Sequence, residues 1–87
     1  MELIRKGEFL YKQNEPSDNI YILVEGEFET FVVDDSSVEY PVRQITEPNT
    51  LIGVTAAILQ IPRVTSVRAI KDSLVNVIVA KKDALIK

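Results

Sequence analysis

Turn-forming residues interrupt this chain every 8–13 positions or so. They stand at Lys6-Gly7, Asn14 to Asp18 around Pro16, Glu25-Gly26-Glu27, Asp34 to Ser37, Glu47-Pro48-Asn49, Pro62 and Lys71 to Ser73. Between them lie short runs rich in Val, Ile, Phe, Tyr and Thr, side chains that fit a pleated, half-buried surface. Punctuation at that interval leaves no room for long helices. It predicts a mainly β chain of many short antiparallel strands, closed as a sandwich or barrel.

The runs differ in how they should be buried. Glu8–Gln13 reads as a half-buried strand with imperfect alternation. Ile20–Val24 is continuously apolar, so both of its faces should be covered. Phe28–Val33 alternates loosely and Thr65–Ala69 alternates clearly. Val38–Thr46 carries Pro41, which lacks a ladder donor and belongs at a sheet edge or a bulge. Leu74–Val79 is again nearly continuous and should be central. The Glu25-Gly26-Glu27 turn, between two strands, reads as a tight hairpin. The carboxylates at 25, 27 and 29 would then share one exposed face.

Two segments read as helix. Val54–Leu59 follows a glycine and amounts to one or two turns. Lys81–Lys87 carries Asp83 near its start, where an acidic residue suits a first helical turn. A length of 87 residues fits one domain, 1–87, and buries roughly 60–65% of the surface its unfolded chain exposes. A chain that ends as a helix begins also reads as a fragment of something larger.

Composition removes whole chemistries. With no cysteine and no histidine, disulfide frameworks, zinc and iron–sulfur sites, Cys or Ser–His nucleophiles and histidine acid–base catalysis are gone. A metal or other cofactor is not expected, nor is an enzyme. Ten basic against thirteen acidic residues leave a net charge of −3, which argues against nucleic acid binding by bulk charge. The longest apolar stretch is five residues, far from the roughly 20 of a membrane span. Glu2, Arg5, Lys6 and Glu8 break any signal-peptide pattern. The expected setting is cytoplasmic.

One stretch carries chemistry. Leu51-Ile52-Gly53-Val54-Thr55-Ala56-Ala57 is followed by Ile61-Pro62-Arg63-Val64-Thr65-Ser66. Gly53 permits a positive φ and close backbone approach. The first N–H groups of a helix opening at Val54 lack intrahelical acceptors and suit an anion. Arg63 offers a planar, two-pronged donor to a phosphate, and Thr65 or Ser66 adds a hydroxyl. The competing reading of these residues is a tight turn, a helix cap and a surface arginine.

These motifs also resemble a known family. Asn14-Glu15-Pro16-Ser17-Asp18-Asn19-Ile20-Tyr21-Ile22-Leu23-Val24-Glu25-Gly26-Glu27 is similar to the first half of cyclic-nucleotide-binding domains. These occur in protein kinase A regulatory subunits and the catabolite activator protein. The family's phosphate-binding cassette, Phe-Gly-Glu-Leu-Ala-Leu and then Pro-Arg-x-Ala-Thr-Val, resembles Ile52 to Ala57 followed by Pro62 to Ala69, with the family's common gap from glycine to arginine.

The resemblance implies an eight-stranded antiparallel jelly roll. Its ligand would be a cyclic nucleotide, cyclic AMP rather than cyclic GMP, or a related phosphate, and its role regulatory, in signal transduction. Arg63 would pair with the phosphate, Gly53 would admit the backbone, and the N–H groups of Ala56, Ala57 and Val64 would donate nearby. The candidate ligand-binding set is Gly53, Val54, Thr55, Ala56, Ala57, Arg63, Val64 and Thr65. Val54 stands where the family has the glutamate that accepts from the ribose, and Gln60 where it often has glycine. The alternative function is therefore a structural or interaction domain that keeps the fold without the nucleotide. A homodimer or a larger parent protein is the implied assembly.

Overall fold

The computed structural model describes residues 1–80. Eight strands run in chain order as β1 (Glu2–Ile4), β2 (Phe9–Tyr11), β3 (Asn19–Glu25), β4 (Phe28–Val33), β5 (Glu39–Ile45), β6 (Leu51–Ile52), β7 (Ser66–Ala69) and β8 (Ser73–Val79). A single helix, α1 (Val54–Leu59), lies between β6 and β7. The strands form two four-stranded sheets, ordered β1-β8-β3-β6 and β2-β7-β4-β5, with every neighbouring pair antiparallel. Eight strands, mainly β and antiparallel, are what the turn spacing and the resemblance led one to expect. The C-terminal helix expected at Lys81–Lys87 lies outside the described residues.

The chain switches sheet at nearly every connection. Only β4 and β5 are consecutive and paired. Their turn is built by Asp34, whose Oδ1 accepts from the N–H groups of Ser36 and Val38 at 2.9 and 3.0 Å. Those bonds and the Tyr40 hydroxyl hold the Asp34 carboxyl below its ordinary range, the Val38 N–H contributing most.

The Glu25–Glu27 turn is not the hairpin the sequence suggested. β3 already has β8 on one side and β6 on the other, so both its edges are taken. The chain leaving it must cross to the other sheet, where β4 pairs with β7 and β5. Ser73 pins this corner: its Oγ accepts from the Glu27 N–H at 3.0 Å. The three carboxylates are accordingly not on one strand. Glu25 ends β3, Glu27 sits in the corner, and Glu29 lies on β4 bonded to Arg68 Nε at 2.8 Å.

Alternation fills the space between the sheets. Leu23 and Val75 from the first sheet meet Phe28, Ile45, Val67 and Ala69 from the second, and Tyr11 and Ile52 complete the cluster. Complete burial of a Leu, Val or Phe side chain contributes about 1.5–3 kcal/mol, so this cluster is the main source of cohesion. β8 is central in its sheet, as expected, and β5 is an edge strand whose register shifts beside Pro41. β3 is less covered than its apolar run implied. Leu23 is fully buried, whereas Ile20, Tyr21, Ile22 and Val24 are half-buried, because one face of the sheet looks away from the core. β1 had no sequence signal, since three residues are too few to show a period.

Candidate functional site

Gly53 joins β6 to α1 with φ 82° and ψ 21°. That left-handed conformation is costly for residues with a Cβ. Helix α1 then starts at once, with Ala56 and Ala57 turned into the protein. It ends at Gln60, which is also left-handed, at φ 54°. This explains why glycine suits the position. Here the Gln60 side chain offsets the strain: its Nε2 donates to Ala57 O at 2.6 Å and Ala80 O at 3.1 Å.

The loop after α1 is laced to the Asn14–Ser17 turn. The Asn14 N–H donates to Arg63 O, and the Arg63 N–H donates to Glu15 O, both at 2.8 Å. Ser17 Oγ donates to Ile61 O at 2.5 Å. The proline turn is thus the scaffold that positions the arginine. Arg63 extends back under Gly53 and is only 3% exposed. Its Nη1 donates to Gly53 O at 2.8 Å and its Nη2 to Asn19 O. Its guanidinium carbon lies 4.0 Å from the centre of the Tyr11 ring, a cation–π distance. Its Nε is buried without a hydrogen-bond partner among the described residues.

Among the described residues no carboxylate balances this charge. Among the described residues the ion pairs join Arg68 to Glu29 and Glu39, and Lys71 to Glu27. Taking a cation out of water costs several kcal/mol unless an anion or a full hydrogen-bond set compensates. Two carbonyls and a ring face compensate in part.

Arg63 lines a cavity of about 210 Å³. The cavity brings together Gly53, Val54, Thr55, Ala56, Arg63, Val64 and Thr65 of the expected set. Ala57 is not among them. Its N–H is committed to the first bond inside α1, to Gly53 O at 3.4 Å, because the fourth helical residue reaches the cap carbonyl. Ser66 is absent too, since its Oγ accepts from the Gln13 N–H at 2.9 Å. Three lining residues were not anticipated: Tyr11, Arg43 and Leu51. Tyr11 is both core and wall. Arg43 carried no local signal, because only the β4–β5 register brings it there.

Burial pushes the Tyr11 phenol up from its ordinary value, against the nearby Arg63 charge and a hydrogen bond with Thr65. Among the described residues the lining contains no aspartate or glutamate, and Val54 is part of its wall. Among the described residues no three His, Cys, Asp or Glu side chains gather as a metal site. No helix there is long and apolar enough to cross a membrane. What the arrangement can do is hold an anion against a buried guanidinium.

Comparisons with known proteins agree with this architecture. A search of curated proteins gave no match. Among solved structures, the cyclic AMP-bound form of the EAL enzyme Bd1971 is 24% identical, with a TM-score of 0.84 over 91% of this chain and 21% of that one. Its cyclic GMP-bound form is also 24% identical, with a TM-score of 0.85 over 91% and 21%. A cyclic nucleotide-binding-like protein from Brucella abortus is 26% identical, with a TM-score of 0.79 over 91% and 66%. The chain thus spans about a fifth of the length of the EAL enzyme. The family model described as the cyclic nucleotide-binding domain matches residues 1–86. With its two four-stranded sheets, its glycine-led short helix and its buried arginine, the chain belongs to the cyclic nucleotide-binding domain family.

Proposed function

We propose that this domain is a regulatory ligand-sensing module whose cavity takes a cyclic nucleotide or a related phosphate, with Arg63 on the phosphate. One observation carries the reading: a guanidinium 3% exposed, facing a cavity, with no carboxylate paired to it among the described residues. A phosphate supplies the missing countercharge and accepts the donors that the protein leaves free. The cyclic AMP- and cyclic GMP-bound forms of the EAL enzyme, which share this fold, support the ligand class. Cyclic AMP is preferred here, because Val64 follows the arginine where a hydroxyl in some family members favours cyclic GMP. The domain acts in signal transduction in the cytoplasm, is not itself an enzyme, and uses no cofactor. Its assembly is a homodimer or part of a larger parent protein.

The lining without a carboxylate favours a second reading, a structural or interaction domain that keeps the fold and binds no nucleotide. Val54 gives a ribose hydroxyl no acceptor, and the lost bond costs about 1.5–3 kcal/mol, roughly 10- to 100-fold in affinity. Thermal melting with and without millimolar cyclic AMP or cyclic GMP separates the two. A ligand at about 100 times its dissociation constant stabilises by about 2.7 kcal/mol, which for a domain of this size raises Tm by about 10–20 °C. The sensing reading expects that rise for the wild type and none for Arg63→Ala. No rise with either nucleotide selects the second reading.

A further inference from the structure

Arg43 brings a second positive charge to the cavity, and the sheet register explains how. It stands opposite Thr30, Thr30 stands opposite Val67, and Val67 stands opposite Tyr11. Directly opposed residues share a face, so Tyr11, Val67, Thr30 and Arg43 form one row across the inner face of the second sheet. Val67 and Thr30 are buried beneath it. Tyr11 and Arg43, at its two ends, line the cavity.

The chain has four arginines, and two of them line this one cavity. Arg68 is consumed by Glu29 and Glu39, whereas neither Arg43 nor Arg63 joins an ion pair among the described residues. Among the described residues no aspartate or glutamate lines the cavity. In a chain of net charge −3, the described residues therefore bring two cations and no anion to the cavity. A cyclic phosphodiester carries one negative charge, whereas a phosphomonoester carries about −1.5 to −2 at pH 7.

We infer that the cavity selects a phosphomonoester over a cyclic phosphodiester, with Arg63 taking one negative charge and Arg43 the second. Arg43 is then the residue that sets the charge of the ligand, and the absence of a carboxylate at Val54 ceases to be a defect. This rests on the reading that Arg63 holds a phosphate.

Calorimetric titration with adenosine 5′-monophosphate and cyclic AMP tests it, on the wild type, Arg43→Gln and Arg43→Lys. The monophosphate should bind the wild type about tenfold or more tightly than cyclic AMP. Arg43→Gln should weaken the monophosphate about 10- to 100-fold, as expected for a charge-assisted bond. It should weaken cyclic AMP by no more than about threefold, as for a screened rim charge. Arg43→Lys should recover most of the monophosphate affinity. Arg43 is exposed on an edge strand, so unchanged melting of the unliganded variants should accompany these results. Tighter binding of cyclic AMP than of the monophosphate to the wild type overturns the inference, and so does an equal loss of both on Arg43→Gln. If cyclic AMP binds through Arg63 while Arg43→Gln leaves the monophosphate unchanged, only the role of Arg43 fails. If neither nucleotide binds, the reading of Arg63 fails first.

Discussion

Replacing Gly53 by alanine perturbs the backbone and the arginine at once, and the two costs can be separated. At φ 82° an L-residue pays about 1–2 kcal/mol for left-handed geometry. The new Cβ would also collide with Arg63 Nη1 and stand 3.2 Å from Tyr11 Cε2. The guanidinium must move, and its 2.8 Å bond to Gly53 O is lost, at about 1.5–3 kcal/mol for a charged donor. The sum is about 2.5–5 kcal/mol. Gly7→Ala is the control, because Gly7 has φ 88° and nothing within 4 Å of the position a Cβ would take. It should cost only the backbone part, about 1–2 kcal/mol. At about 4–8 °C per kcal/mol for a domain of this size, Gly53→Ala should melt at least about 6 °C below Gly7→Ala by circular dichroism. Equal losses in the two variants would refute the coupling of Gly53 to Arg63.

Three further outcomes follow from single residues. Thr30 Oγ1 is buried with no partner among the described residues; Thr30→Val keeps the shape, removes the orphaned hydroxyl and should stabilise by about 1–2 kcal/mol in urea unfolding, a loss being the contrary result. The raised pKa of Tyr11 means that folding favours the neutral phenol. Its contribution is complete below the ordinary value of 10.0 and is lost as pH rises through the folded value. Melting temperature should therefore fall above pH 10, and Tyr11→Phe should flatten that fall. Val54→Glu sets a carboxylate at the cavity wall and should tighten cyclic AMP binding about 10- to 100-fold; unchanged affinity by calorimetry counts against that position.

What was legible in sequence was what depends on near neighbours. Val54–Leu59 was readable as a helix because a glycine precedes a run of small and apolar residues, and Pro41 announced an edge because a missing N–H is a local fact. Gly53 and Arg63 stood out for the same reason. The rest depends on which strands are adjacent. Nothing near Glu25-Gly26-Glu27 reveals that β3 has both edges occupied, so a sheet-crossing corner read as a hairpin. Nothing near Arg43 reveals that it stands across from Thr30 over the cavity. Nor does the local sequence show that the Ala57 N–H is the first to find an acceptor inside α1.

On the proposed function, the buried guanidinium of Arg63, unpaired among the described residues, meets an anionic ligand. Isothermal titration of the wild type and of Arg63→Met, which keeps an apolar stem under Gly53 and removes the charge, tests it most directly. The account predicts nucleotide binding to the wild type and a loss of about 10- to 100-fold or more in Arg63→Met. Equal affinity in the two proteins would contradict it.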